Sequence, residues 1–103
     1  MVRRFWKKKY TKWFDCDKIN CELTVRTRRS GDYMAVSQSG GHKKLTRCMI
    51  DDKIPGELRG KLPLVVDGNE VLWIVGGRIN ERYKITSETG RVLEITYQGG
   101  NVQ

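Results

Sequence analysis

The sequence has no run of apolar residues approaching the ~20 that a membrane-spanning helix needs; its longest clean one, 71–75, is five residues. It also lacks the apolar stretch of a secretory leader. Arg3 and Arg4 suit the basic start of one, but Lys7, Lys8 and Lys9 stand where the stretch belongs. Both absences argue against a secreted or membrane-spanning protein. Cysteine is scarce and odd in number, three in all, which makes no disulfide framework and fits a reducing cytoplasm. No internal repeat and no dividing linker interrupt the 103 residues, so one domain is expected. A G-x-x-x-x-G-K-[ST] phosphate loop is absent too.

What is present suffices for a core. Hydrophobic residues make up 38% of the chain, with three Trp and four Tyr, so it should fold without metal or disulfides. The net charge is +8, and it is unevenly spread: residues 1–50 carry 13 Lys or Arg against 4 acids, whereas 51–103 carry 7 against 8. All the excess positive charge therefore lies in the first half. Such asymmetry points to a polyanionic partner, nucleic acid or an acidic membrane surface, with a merely solvated basic face as the bland alternative.

The periodicities predict an α+β fold, mainly antiparallel β and sandwich-like, with two short helices inserted in the middle. Trp6, Tyr10, Trp13 and Phe14 follow the spacing of one helical face in a segment, 1–13, that holds six Lys or Arg and no acid. That reads as a basic amphipathic helix. Leu23, Val25 and Thr27 alternate with Thr24, Arg26 and Arg28, a strand closed by a turn at 30–32. Leu45, Cys48 and Met49 predict a helix over 43–51, and Pro55 opens a second one with Leu58 and Leu62 inward. Beyond Pro63 the pattern is β: 64–66 and 71–75 as a hairpin turning at Asp67-Gly68, with Trp73 in the core, then 82–86 paired with 92–97. Residues 1–12 are expected to be a leader or linker, 13–98 the domain, and 99–103 a frayed tail.

Three basic clusters stand out: Arg3, Arg4, Lys7, Lys8, Lys9 and Lys12; then Arg26, Arg28 and Arg29; then Lys43 and Lys44 after the glycine pair 40–41. Accessible glycine N–H groups beside two lysines at a helix start would suit a phosphate. Ser39-Gly40-Gly41 begins like the SGGxDS loop of ATP pyrophosphatases, but His42-Lys43-Lys44 follows, without the Asp and the second Ser, so no ATP site is expected. Cys16, Cys21, His42 and Cys48 supply four soft metal ligands without a tight knuckle, a weak zinc signal set against a core role for Cys48. His42 with a cysteine, or the pairs Asp15/Asp17 and Asp51/Asp52, would be the raw material of catalysis, yet nothing in the sequence converges on them. Surface charge or a phosphate contact is the simpler role, and no catalytic or metal residue is assigned.

Six segments in order, LTVRTRRSGD (23–32), GGHKKL (40–45), IDDKIP (50–55), LPLVVDG (62–68), LWIVG (72–76) and RINER (78–82), closely resemble the C-terminal domain of the tRNA(Ile)-lysidine synthetase family. WFDCDKI (13–19) is similar to the family's entry into that domain. The resemblance implies a β-rich fold similar to a domain of the phenylalanyl-tRNA synthetase β-subunit. It also implies a role in docking tRNA by its acceptor stem. Members ligate lysine, with ATP, onto the wobble cytidine of the isoleucine tRNA carrying a CAU anticodon. On that resemblance ATP and Mg²⁺ belong to a separate N-terminal catalytic domain, which is also the implied partner, and this chain is non-catalytic, cytoplasmic and free of cofactor.

By position, the resemblance marks Arg26, Arg28 and Arg29 in an R-x-R-R-x-G-D motif and His42, Lys43 and Lys44 in G-G-H-K-K. Arg78 and Arg82 fall in R-I-x-E-R. Together these are the expected RNA-binding set. Ser30 replaces the family's usual proline, which loosens a turn, and 46–49 replaces a more aromatic helix. A membrane-surface or protein-docking module led by the basic aromatic segment is the competing reading. An open strand edge at 92–97 would also allow a homodimer.

Overall fold

The computed structural model describes residues 9–20, 22–37, 39 and 41–98. Within them the chain forms β1 (Lys9–Asp15), β2 (Leu23–Arg26), β3 (Tyr33–Ala35), β4 (His42–Lys44), α1 (Leu45–Asp51), α2 (Gly56–Arg59), β5 (Leu64–Asp67), β6 (Glu70–Ile74) and β7 (Val92–Gln98). Short 3-10 turns occupy Cys16–Lys18 and Glu81–Tyr83. One sheet has five strands in the order β2-β5-β6-β3-β4; the other is the pair β1-β7. Every ladder is antiparallel except β3 with β6. The fold is thus α+β with two short central helices, as the periodicities indicate. Among the described residues no helix is long and apolar enough to cross a membrane.

β5 and β6 are buried on both faces, which is why they read as nearly unbroken apolar runs. On one face Leu64, Val66, Val71 and Ile74 pack with Leu45, Cys48 and Met49 of α1 and with Leu62. On the other, Val65, Leu72 and Trp73 meet Phe14 and Tyr83, and β1-β7 covers this side through Tyr10, Ile95 and Tyr97. Val65 pairs with Trp73 but Val66 with Val71, so Leu72 is the extra residue of a bulge. The bulge lets Leu72 and Trp73, although adjacent in sequence, enter the same core. Phe14 and Trp73, both fully buried, have ring centroids 5.9 Å apart, and this contact ties the two-stranded sheet to the larger one.

Several expectations are corrected. Residues 9–15 are a strand, not part of a helix; Trp6 lies outside the described residues. Tyr10 and Phe14 are four residues apart, a spacing that serves a helix face and a strand face equally. Pairing along all of β7 decides for the strand, with Trp13 turned outward to donate its Nε1–H to Glu94 at 2.9 Å. This pairing begins at Lys9, inside the span expected to be leader. Strand 82–86 does not form: Asn80 accepts the Arg82 N–H at 2.8 Å and caps a 3-10 turn, and β7 is paired with β1 instead. Helix α1 starts at Leu45 rather than 43, because 42–44 pair with β3. Asp67 pairs with Glu70, so the hairpin turns at Gly68-Asn69, where Gly68 takes a φ of +70°. On β2 the facing is reversed at its end: Val25 is 55% exposed, and Arg26 turns inward to a buried carboxylate.

Candidate nucleic-acid interface

The segment RTRRSGD (26–32) is organised by its last residue. Asp32 is buried and accepts from both ends of the Arg26 guanidinium, at 2.8 and 2.9 Å, from the Arg29 N–H at 2.8 Å and from the Asn69 amide at 3.3 Å. Burial pushes its carboxyl pKa up, but the Arg26 guanidinium, the Arg29 N–H and Asn69 outweigh that and hold it below the usual carboxylate range. The Asp32 N–H returns a bond to the Arg29 carbonyl at 3.2 Å, which closes the turn. Gly31, with φ +91°, occupies the left-handed position that this closure requires.

Two further backbone bonds anchor the turn. The Leu45 N–H donates to the Asp32 carbonyl at 2.9 Å, and the Tyr33 N–H donates to the Asn69 carbonyl at 3.1 Å. The turn is therefore fastened to the start of α1 and to the β5–β6 hairpin at once. Between the turn and α1 lies a cleft of about 410 Å³, lined among others by Arg28, Arg29, Tyr33, Lys44 and Thr46. Arg28, Arg29 and Lys44 are exposed and have no acidic partner among the described residues. Asp32 is the acid in the lining, and its oxygens are already engaged. The cleft thus presents three uncompensated cations on a rigid frame.

The expected RNA-binding set divides at this point. Arg28, Arg29 and Lys44 come together in the cleft, and exposed His42 sits beside it, edge-on to the Tyr33 ring at 4.8 Å. The other four are held by acids. Arg26 is bound to Asp32. Lys43 reaches Asp51 at 2.8 Å, and Arg78 clasps Asp52 with two bonds of 2.6 and 2.9 Å. Arg82 contacts Glu70 and the Tyr83 hydroxyl, each at 3.0 Å. Tyr83 is buried among these groups; burial, then the Glu70 charge, raise its phenol pKa and keep it protonated. Sequence reasoning missed Tyr33 and Thr46, which carry no motif signal, and read Asp32 only as part of a turn.

Gly40 lies outside the described residues, and the Gly41 N–H points at the Ser37 hydroxyl at 3.4 Å. Of the four soft ligands, Cys48 is buried and His42 is exposed, while Cys21 lies outside the described residues. Among the described residues no three His, Cys, Asp or Glu side chains form a group fit for a metal. Burial pushes the Cys48 thiol pKa up, away from nucleophilic use. Asp15 and Asp17 serve the backbone: Asp15 accepts the Asp17 N–H at 3.0 Å, and Asp17 accepts the Gly90 N–H at 2.8 Å.

Comparison with known proteins agrees with the motif order. Residues 23–95 match the family model described as the TilS substrate C-terminal domain. The tRNA(Ile)-lysidine synthase of Caldanaerobacter subterraneus subsp. tengcongensis is 44% identical over 96 residues, covering 93% of this chain and 21% of that protein. The Clostridium tetani tRNA(Ile)-lysidine synthase is 43% identical over 90 residues, 87% of this chain and 19% of that one. A crystal structure of a TILS C-terminal domain is similar with a TM-score of 0.62 and 32% identity, covering 86% of this chain and 72% of that chain. The chain spans about a fifth of the length of these curated relatives.

Proposed function

The chain belongs to the TilS substrate C-terminal domain family, and on that premise we propose that it is the tRNA-docking module of a tRNA(Ile)-lysidine synthetase. In this reading it is non-catalytic and grips the acceptor stem of the isoleucine tRNA that carries a CAU anticodon. A separate N-terminal domain, with ATP and Mg²⁺, joins lysine to the wobble cytidine in the cytoplasm. The observation that carries the reading is the cleft with Arg28, Arg29 and Lys44 left uncompensated while Arg26, Lys43 and Arg78 are paired with acids.

The physics of RNA supports this use. An A-form stem hides its base edges in a deep, narrow major groove, so proteins hold it through phosphates, 2′-hydroxyls and the shallow groove. Arginines fixed by a hydrogen-bonded turn suit that task, because their planar forks meet phosphate oxygens two at a time and lose little freedom on binding. The competing membrane reading rested on an amphipathic helix, of which residues 9–15 are strand.

Fluorescence anisotropy of an acceptor-stem minihelix and of the anticodon hairpin from the same tRNA tests the proposal. The minihelix is expected to bind more tightly, and its affinity to fall with salt by a log–log slope of about −0.7 to −0.9 per phosphate contact. A folded sample that binds neither RNA at low salt removes the proposal.

A further inference from the structure

We propose that the cleft between the 28–32 turn and the start of α1 is a socket for a terminal phosphate monoester, the 5′ end of an RNA strand, rather than for an internal phosphodiester. The inference rests on the RNA-docking reading above and narrows it to one chemical group.

Charge is the first ground. An internal phosphodiester carries a single negative charge and is flanked by two riboses. A terminal phosphate has one ester bond, three free oxygens and about −1.5 to −2 charges near neutral pH. The cleft offers three cations, Arg28, Arg29 and Lys44, and the one acid in its lining is sequestered by Arg26, the Arg29 N–H and Asn69. Three positive charges lining one cleft exceed what a monoanion balances and match a dianion with donors to spare.

Shape is the second ground. Phosphodiesters of a duplex lie on its outer ridges, where a flat basic surface reaches them as well as a concave one does. Lys43 and Arg78, two of the surface cations, are tied to Asp51 and Asp52. Arg28, Arg29 and Lys44, three of the cations without an acidic partner among the described residues, instead line a hollow of about 410 Å³. A hollow admits a chain end, which has no second ribose to exclude.

The lining is the third ground. Gly31 places no side chain in the hollow, and the atom nearest to where its β-carbon would stand is the Asn69 amide nitrogen, 3.8 Å away. Thr46, also in the lining, carries a hydroxyl, a group able to donate to a third phosphate oxygen. The frame is stiff, because the turn is hydrogen-bonded to α1 and to the β5–β6 hairpin. Preorganised donors bind without the entropy cost of ordering a loop.

The test uses the whole chain and two minihelices that differ only in having a 5′-phosphate or a 5′-hydroxyl. Wild-type protein is expected to bind the phosphorylated one about tenfold more tightly, the scale of charge-assisted bonds to one extra dianion. In Arg28→Ala/Lys44→Ala, checked for folding by circular dichroism, the preference is expected to shrink below about twofold. Inorganic phosphate at millimolar concentration and matched ionic strength separates the two sources of such a group. A socket for an RNA end keeps its preference, whereas full displacement makes free phosphate the ligand and overturns the assignment. Equal affinity for the two minihelices, or a preference that survives in the double variant, overturns the inference alone. No binding of either minihelix removes the RNA-docking reading and the inference together.

Discussion

Arg26 and Asp32 meet guanidinium to carboxylate across the 27–31 turn, through two hydrogen bonds of 2.8 and 2.9 Å, with both side chains largely buried. The pair does not touch the cleft's ligand space as a donor; it sets the backbone from which Arg28 and Arg29 project.

Breaking this pair from one side leaves a buried charge alone. Asp32→Ala is expected to destabilise the domain by about 3 kcal/mol, against well under 1 kcal/mol for an exposed pair. Urea unfolding followed by tryptophan fluorescence measures it. A loss below about 1 kcal/mol would mean that the pair is solvated in practice.

The same carboxylate sets an acid limb of stability. Its folded pKa lies below its ordinary value of 3.8, so the stability it contributes is complete above that value and is lost as the pH falls through the folded one. Asp17, held by the Gly90 N–H, and Asp51, held by Lys43, are lowered too and act in the same direction. Urea midpoints are expected to be flat from pH 7 to about 5 and to drop below about 4, with a shallower drop in Asp32→Asn. An acid limb unchanged in that variant would assign the effect to other carboxylates.

Gly31 and Gly60 make a matched pair for the turn. Gly31 sits at φ +91°, where a β-carbon strains the backbone whatever the space around it; Gly60 is in ordinary helical geometry with nothing within 4 Å of an added β-carbon. Gly31→Ala is expected to cost about 1–2 kcal/mol and Gly60→Ala to be neutral or slightly stabilising. Thermal melts compare them directly. Equal effects would contradict the turn geometry.

Much of this architecture is legible in the residues, and the failures have physical causes. Leu45, Cys48 and Met49 mark the inner face of α1 correctly because helix periodicity is a local property. Strand β1 is misread because Tyr10 and Phe14 fit two periods, and its partner β7 begins 77 positions after Asp15. The motifs locate the basic residues, but their division into free and neutralised sets is tertiary. Arg78 and Asp52 are 26 residues apart, and neither discloses the other in sequence. Arg82 likewise resembles a surface cation until Glu70 and Tyr83 are placed beside it.

That division gives a functional prediction. Arg28→Ala/Lys44→Ala is expected to weaken acceptor-stem binding by at least about tenfold and to lower the salt slope by about one per lost contact. Lys43→Ala/Arg78→Ala removes as much formal charge from partnered positions and is expected to cost less than about threefold. Filter binding at several salt concentrations separates the two. Equal losses would mean that bulk charge, rather than the cleft, governs binding.

The most direct test of the account is a backbone amide NMR titration of the chain with the acceptor-stem minihelix. The largest shifts are expected at Arg29, Gly31, Tyr33 and Thr46, around the cleft, with β1 and β7 nearly unmoved. Shifts centred instead on Trp13 and Val92 of the two-stranded sheet, or spread evenly over every basic residue, would contradict a site built by Asp32 around Arg28, Arg29 and Lys44.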